Sequence, residues 1–134
     1  MGVTLRSYIV ATGFIIAVGQ CAHAQPGESD KYSQSMTKKY SQKTLLKNWA
    51  LSVCLAKISK DVSERDDANA TASAYLEFGR QPIEAYDALR ELTEKYAKRK
   101  YDSVIKSELN TMKCIDLFHS EELDNLAGKL SRRK

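Results

Sequence analysis

Leu45-Leu46-Lys47-Asn48-Trp49-Ala50-Leu51-Ser52-Val53-Cys54-Leu55-Ala56-Lys57-Ile58 is the stretch whose reading decides the fold. Leu46, Ala50, Cys54 and Ile58 recur every four residues, and Leu45, Trp49, Val53 and Ala56 widen the same stripe, as in an amphipathic helix with one face against a core. Ser41 stands where a cap is needed. Lys43, Lys47, Lys57 and Lys60 fall on the wet side. Cys54 lies on the inward face, where a second cysteine can meet it.

Toward the C-terminus, further helical patterns follow. The polar stretch 61–70, with Asp61, Glu64, Asp66 and Asp67, reads as a connection leading into an acidic helix start. A second helix is expected from about Asp67 to Phe78, with Ala68, Ala72 and Tyr75/Leu76 inward and Gly79 as its stop. Pro82 marks the next start, since its missing N–H costs nothing in a first helical turn. Ala85, Leu89, Leu92 and Tyr96, with Ile83 and Tyr86 alongside, are the stripe of that third helix; Glu84, Asp87, Arg90, Glu91 and Glu94 are its outer face. Between Tyr101 and His119, Val104, Leu109, Met112, Ile115 and Phe118 are compatible with a fourth helix interrupted near Asn110, with Cys114 on or beside its apolar face. Ser120 before Glu121 and Glu122 reads as the cap of a short fifth helix through Leu123, Leu126 and Leu130. No strand alternation, Asn-Gly turn or internal repeat occurs. The expected fold is all-α, a compact bundle of four to five helices.

Toward the N-terminus, residues 1–24 read as a signal peptide: Arg6, an apolar run from Tyr8 to Val18, then Ala22-His23-Ala24 as the cleavage site. A membrane-spanning helix needs ~20 apolar residues and this run is about half that, so cleavage near Ala24 is expected instead of an uncleaved anchor, with no stable membrane insertion. Cys21 leaves with the leader. Residues 25–39 hold almost nothing apolar and read as a flexible arm; 40–134 form the helical domain. An exported chain meets oxidising conditions, where Cys54 and Cys114, 60 positions apart and free of any CxxC or histidine-rich context, are expected to form one disulfide between the first and fourth helices. Closing such a loop stabilises a fold by ~4 kcal/mol in the chain-entropy picture. Two buried free thiols are the alternative. With a Gram-negative bacterium as the source, the location is the periplasm, and the Asn69-Ala70-Thr71 sequon carries no meaning.

Catalytic equipment is sparse. Beyond the leader His119 is the one imidazole, both cysteines are committed to each other, and no second ligand stands at metal spacing. His119 reads as a helix-end histidine; haem ligation with Met112 or Met36 is less in keeping with lone methionines at helical spacing, which are usually core. No catalytic residue, metal or cofactor is therefore expected. The full chain carries 21 basic against 17 acidic side chains, a net charge of +4. Its basic runs, Lys38-Lys39 and Lys98-Arg99-Lys100, are short and flanked by acids, which argues against nucleic acid. Tyr75, Tyr86, Tyr96 and Tyr101 cluster, and tyrosine favours protein interfaces. Binding is the default function.

Three segments carry more than composition: Asn48-Trp49-Ala50-Leu51-Ser52-Val53-Cys54-Leu55, Ala72-Ser73-Ala74-Tyr75-Leu76-Glu77-Phe78-Gly79 and Met112-Lys113-Cys114-Ile115-Asp116-Leu117-Phe118-His119-Ser120-Glu121-Glu122-Leu123. Across Leu45 to Leu126 the chain resembles the immunity proteins paired with the fourth group of type VI secretion amidase effectors. The resemblance implies a periplasmic antitoxin with a cognate type VI amidase of the NlpC/P60 kind as partner. That enzyme cuts the D-glutamate to diaminopimelate bond of peptidoglycan stems. It further implies a homodimer, extending to a 2:2 complex, and inhibition by a helix and adjoining loop that fill the substrate cleft. Cys54 and Cys114 match the family's paired cysteines. On exposure and interface propensity, the toxin surface is expected at Tyr75, Arg80, Gln81, Glu84, Asp87, Arg90 and Glu91, with Tyr86 as a second aromatic anchor. The acidic segment Glu64 to Asp67 is the competing surface. A periplasmic acid-stress chaperone, small and held by one disulfide, is the alternative function, and a His119-based enzyme the remote one.

Overall fold

The computed structural model describes residues 37–132. The signal peptide 1–24 and most of the arm 25–39 lie outside the described residues. Five α-helices follow one another: α1 (Gln42–Ile58), α2 (Val62–Glu77), α3 (Ala85–Ala97), α4 (Asn110–His119) and α5 (Glu121–Leu130). The described residues are all-helical, as the periodicity required. The hub is α1, which packs against each of the other four helices. Its stripe buries Leu45, Leu46, Trp49, Ala50, Cys54 and Ala56, and α3, α4 and α5 close over it with Tyr86, Leu89, Leu117, Leu123, Ala127 and Leu130.

Local chemistry sets most of the boundaries. Ser41 Oγ accepts from Thr44 N–H at 3.0 Å and opens α1. Ser120 is shared between two helices: it ends α4 and caps α5, accepting from Leu123 N–H at 3.1 Å. The sulfurs of Cys54 and Cys114, both fully buried, are joined at 2.01 Å and bind α1 to α4. The lysines assigned to the wet side of α1 act as cross-ties. Lys43 and Lys47 reach Asp124 on α5 at 2.6 and 3.3 Å, Lys57 reaches Glu94 on α3 at 3.0 Å, and Lys60, just past the helix, meets Glu108 at 3.2 Å.

Three expectations are corrected. The acidic stretch 61–70 is helix, because Asp61 Oδ1 accepts from Glu64 N–H at 3.0 Å and starts α2 there. Having only Ala72 buried, α2 lies across the outside of α1 and can be polar along nearly its whole length. Next, α3 begins at Ala85, three residues past Pro82, after tight turns in which Ala85 and Tyr86 N–H donate to the Pro82 and Ile83 carbonyls. Finally, residues 101–109 are not helical. Leu109, at φ 47° in the left-handed region, separates them from α4. Of the residues read as an apolar helix face, Val104, Met112 and Ile115 are exposed, as is Ile105 beside them, while α4 turns Lys113, Cys114 and Leu117 inward.

Candidate docking surface

One candidate surface is built around the link 78–84 and the outer face of α3. Gln42, in the first turn of α1, holds the link by its carboxamide: Nε2 donates to Phe78 O at 3.3 Å, and Oε1 accepts from Arg80 N–H at 2.8 Å. This pins the backbone that carries Arg80 and Gln81. Gly79 ends α2 without a positive φ; the reason for glycine is contact, since a Cβ there would collide with Tyr86 Oη. Tyr86 is fully buried, its ring edge-on to Trp49 at 5.0 Å, and burial raises its hydroxyl pKa. It is therefore core, which removes it as a docking anchor.

The structure places the other expected residues as follows. Tyr75 is half-buried on α2, its ring 6.4 Å from that of Tyr40. Arg80, Glu84, Asp87, Arg90 and Glu91 are exposed, and Gln81 is partly covered. Arg90 Nη1 donates to Asp87 Oδ1 at 2.8 Å, and its guanidinium lies over the Trp49 ring at 5.6 Å. With Glu84, Asp87 and Glu91 against Arg80 and Arg90, the face carries one more acid than base. Arg90 also borders an open groove of about 530 Å³ between α1, α2 and α3, floored by Trp49, Val53 and Leu76. The competing acids Glu64, Asp66 and Asp67 lie in the first turns of α2, where Glu64 accepts from Ser59 Oγ at 3.0 Å.

A second surface escaped the sequence reading. At the far end of α3, the loop 101–109 carries Val104, fully exposed, and Ile105, 66% exposed, beside Met112 and Ile115 on the outer side of α4. Lone exposed apolar side chains are ordinary, but Met112 and Ile115 line one hollow and Val104 and Ile105 stand on the loop whose later residues complete it, which marks an interaction site. Lysines 60 and 106 border the same hollow. Glu108 accepts from Asn110 Nδ2 at 2.8 Å and pairs with Lys60, which together hold its carboxyl below the usual range. The signal in sequence was Ser103-Val104-Ile105-Lys106-Ser107, a short apolar pair between serines.

Neither surface offers reaction chemistry. His119 is exposed at the end of α4 with its ring against Phe118 at 5.5 Å, and the hydroxyl of its neighbour Ser120 is engaged with Leu117 O and Leu123 N–H. Among the described residues no group of three or more His, Cys, Asp or Glu could hold a metal ion, and no helix is long and apolar enough to cross a membrane.

A disulfide-braced helical bundle with an acidic face at one end of α3 and an apolar loop at the other defines a class: small proteins that act by binding another protein. The family of type VI secretion system (T6SS) amidase immunity proteins, Tai4, matches residues 44–127, and the chain belongs to that family. It is an immunity protein of this kind and not an enzyme, which decides against the chaperone and His119-enzyme alternatives. The chain is similar to a solved structure of the effector–immunity system Tae4/Tai4 from Salmonella typhimurium, with 52% identity and a TM-score of 0.67 over 73% of this chain and 94% of that one. A structure described under new type VI-secreted toxins and self-resistance proteins in Serratia marcescens gives 33% identity and a TM-score of 0.69, covering 75% and 82%. A third, from the Tae4–Tai4 complex of Enterobacter cloacae, gives 27% and 0.59, covering 66% and 91%. None of the curated proteins matches the chain.

Proposed function

We propose that this chain is exported to the periplasm behind a leader cleaved near Ala24, and there silences a peptidoglycan-cutting amidase of the NlpC/P60 kind by obstructing its substrate cleft. The observation that carries the reading is the exposure of Val104 and Ile105 on the loop 101–109, with Met112 and Ile115 exposed on α4 just after it. An enzyme cleft is concave and largely apolar, so a convex apolar wedge on a rigid bundle suits it. The acidic face of Glu84, Asp87 and Glu91, with Tyr75, Arg80, Gln81 and Arg90 around it, supplies a charged rim that speeds capture. The homodimer and a 2:2 complex with the amidase belong to the same proposal, and sedimentation of the mature chain, alone and mixed with the enzyme, tests both.

Salmonella typhimurium Tae4 is the probe of choice. That effector has been solved in complex with the Enterobacter cloacae immunity protein, itself only 27% identical to this chain, while this chain is 52% identical to the Salmonella relative. Val104→Asp and Ile105→Asp are expected to weaken inhibition of Tae4 by roughly 30-fold or more, the scale of an interface hot spot. The pair Asp87→Lys and Glu91→Lys is expected to slow association and to alter its salt dependence, leaving the dissociation rate nearly unchanged. Full inhibition by both loop variants, with helicity intact by circular dichroism, would sink the wedge.

A further inference from the structure

A wedge gains affinity only if it already holds its bound shape, because ordering a loop on contact is subtracted from the binding energy. The loop 101–109 has no regular structure of its own. Its tip is bent by short local bonds: Ile105 N–H donates to Ser103 Oγ at 3.1 Å, Ser107 N–H to Ile105 O at 2.7 Å, and Leu109 N–H to Ser107 Oγ at 3.3 Å. The two of these made to serine hydroxyls are exposed, and exposed bonds compete with water and set the shape only weakly. Side-chain bonds join the loop to the bundle at both ends, with Asn110 on α4 donating to Glu108 at 2.8 Å among exposed groups. At the far end the Lys60–Glu108 pair joins side chains that are 81% and 64% exposed, a geometry worth little. At the near end Tyr101 Oη donates to Asp116 Oδ2 at 2.6 Å, part-buried and charge-assisted.

Asp116 sits on α4 two residues after Cys114, which is fixed to α1 through its sulfur. The position of α4 is thereby passed to the first residue of the loop. We propose that Tyr101 and Asp116 form a latch that presets the 101–109 loop, making them positioning residues for amidase binding that act through Val104 and Ile105. The hydroxyl behaves as a donor: the bond to Asp116 raises the Tyr101 pKa, against the opposing pull of Arg99 on the same phenol oxygen. Leu109 fits the same picture. A leucine in the left-handed region is strained, a conformation that persists only where its surroundings impose it.

The inference rests on the wedge reading, and two measurements separate them. Tyr101→Phe removes one oxygen and leaves the ring. It is expected to weaken binding to Salmonella typhimurium Tae4 about 10-fold by lowering the fraction of loop in the competent shape. In the free protein, amide exchange across Ser103 to Ser107 should accelerate, with the melting temperature nearly unchanged. Adding Asp116→Ala to Tyr101→Phe should cost nothing more than either change alone, since both break the same bond. Wild-type binding and wild-type loop exchange in Tyr101→Phe, with Val104→Asp and Ile105→Asp still defective, overturns the latch and spares the wedge; full inhibition by the Val104 and Ile105 variants overturns the wedge itself. Exchange is read without any amidase present, so a folding failure of the Asp116 variant leaves the latch testable.

Discussion

At Gly79 a missing side chain is a packing requirement. The sequence presents this glycine as a helix stop, and α2 does end beside it, yet its backbone is not left-handed; the place that a Cβ would take is filled by Tyr86 Oη. Gly79→Ala is expected to destabilise the fold by about 1–3 kcal/mol, the usual cost of overpacking. In a Tyr86→Phe background most of that loss should disappear, since the colliding atom is gone; denaturant titration of the four proteins checks this, and equal losses in both backgrounds would refute it. Residues that act on their own neighbours were the legible ones. Ser41 and Ser120 bond amides three positions away, and the inward phase of Cys54 follows from its own helix. The inward places given to Ile83 and Val104, and the anchor role given to Tyr86, fail because burial depends on what packs opposite, which spacing along one chain does not contain.

Among the elements, α5 shows how a ten-residue helix is held. Its apolar side inserts Leu123, Ala127 and Leu130 into the core, and its acids bond outward to neighbours. Asp124 takes hydrogen bonds from Lys43 and then Lys47, and Glu122 from Lys95 and then Tyr96; each carboxyl is thereby held below its usual pKa. A carboxylate with a depressed folded pKa stabilises the fold fully above its unfolded value, about 4, and loses that contribution as the pH falls through the folded value. Stability should therefore be flat from neutral pH to about 5 and decline below about 4, with α5 amides losing exchange protection earliest. These groups are half-exposed, so added salt should blunt the decline; an acid profile identical in Asp124→Asn would remove α5 from the explanation. The helices were legible as elements, and the boundaries less so. The start of α2 was placed late because Asp61 serves as a cap inside a run of acids that looked like a connection.

For the molecule as a whole, the central constraint is that one helix contacts all the rest while one covalent bond ties it to α4. Replacing both Cys54 and Cys114 by alanine is expected to cost about 2–5 kcal/mol, much of it through the unfolded chain. For a small domain that is a large share of total stability. Guanidinium titration of the oxidised and the double-alanine proteins gives the difference directly, and a midpoint unmoved by the change would show the bridge to be dispensable. The placement of α1 has another consequence. It is the first of the described helices to be synthesised and α5 is the last, so part of its oily stripe stays bare until α5 has been made. Prematurely terminated chains therefore present a sticky segment with nothing to cover it. Truncation ahead of α5 should therefore lower solubility more than a surface substitution does.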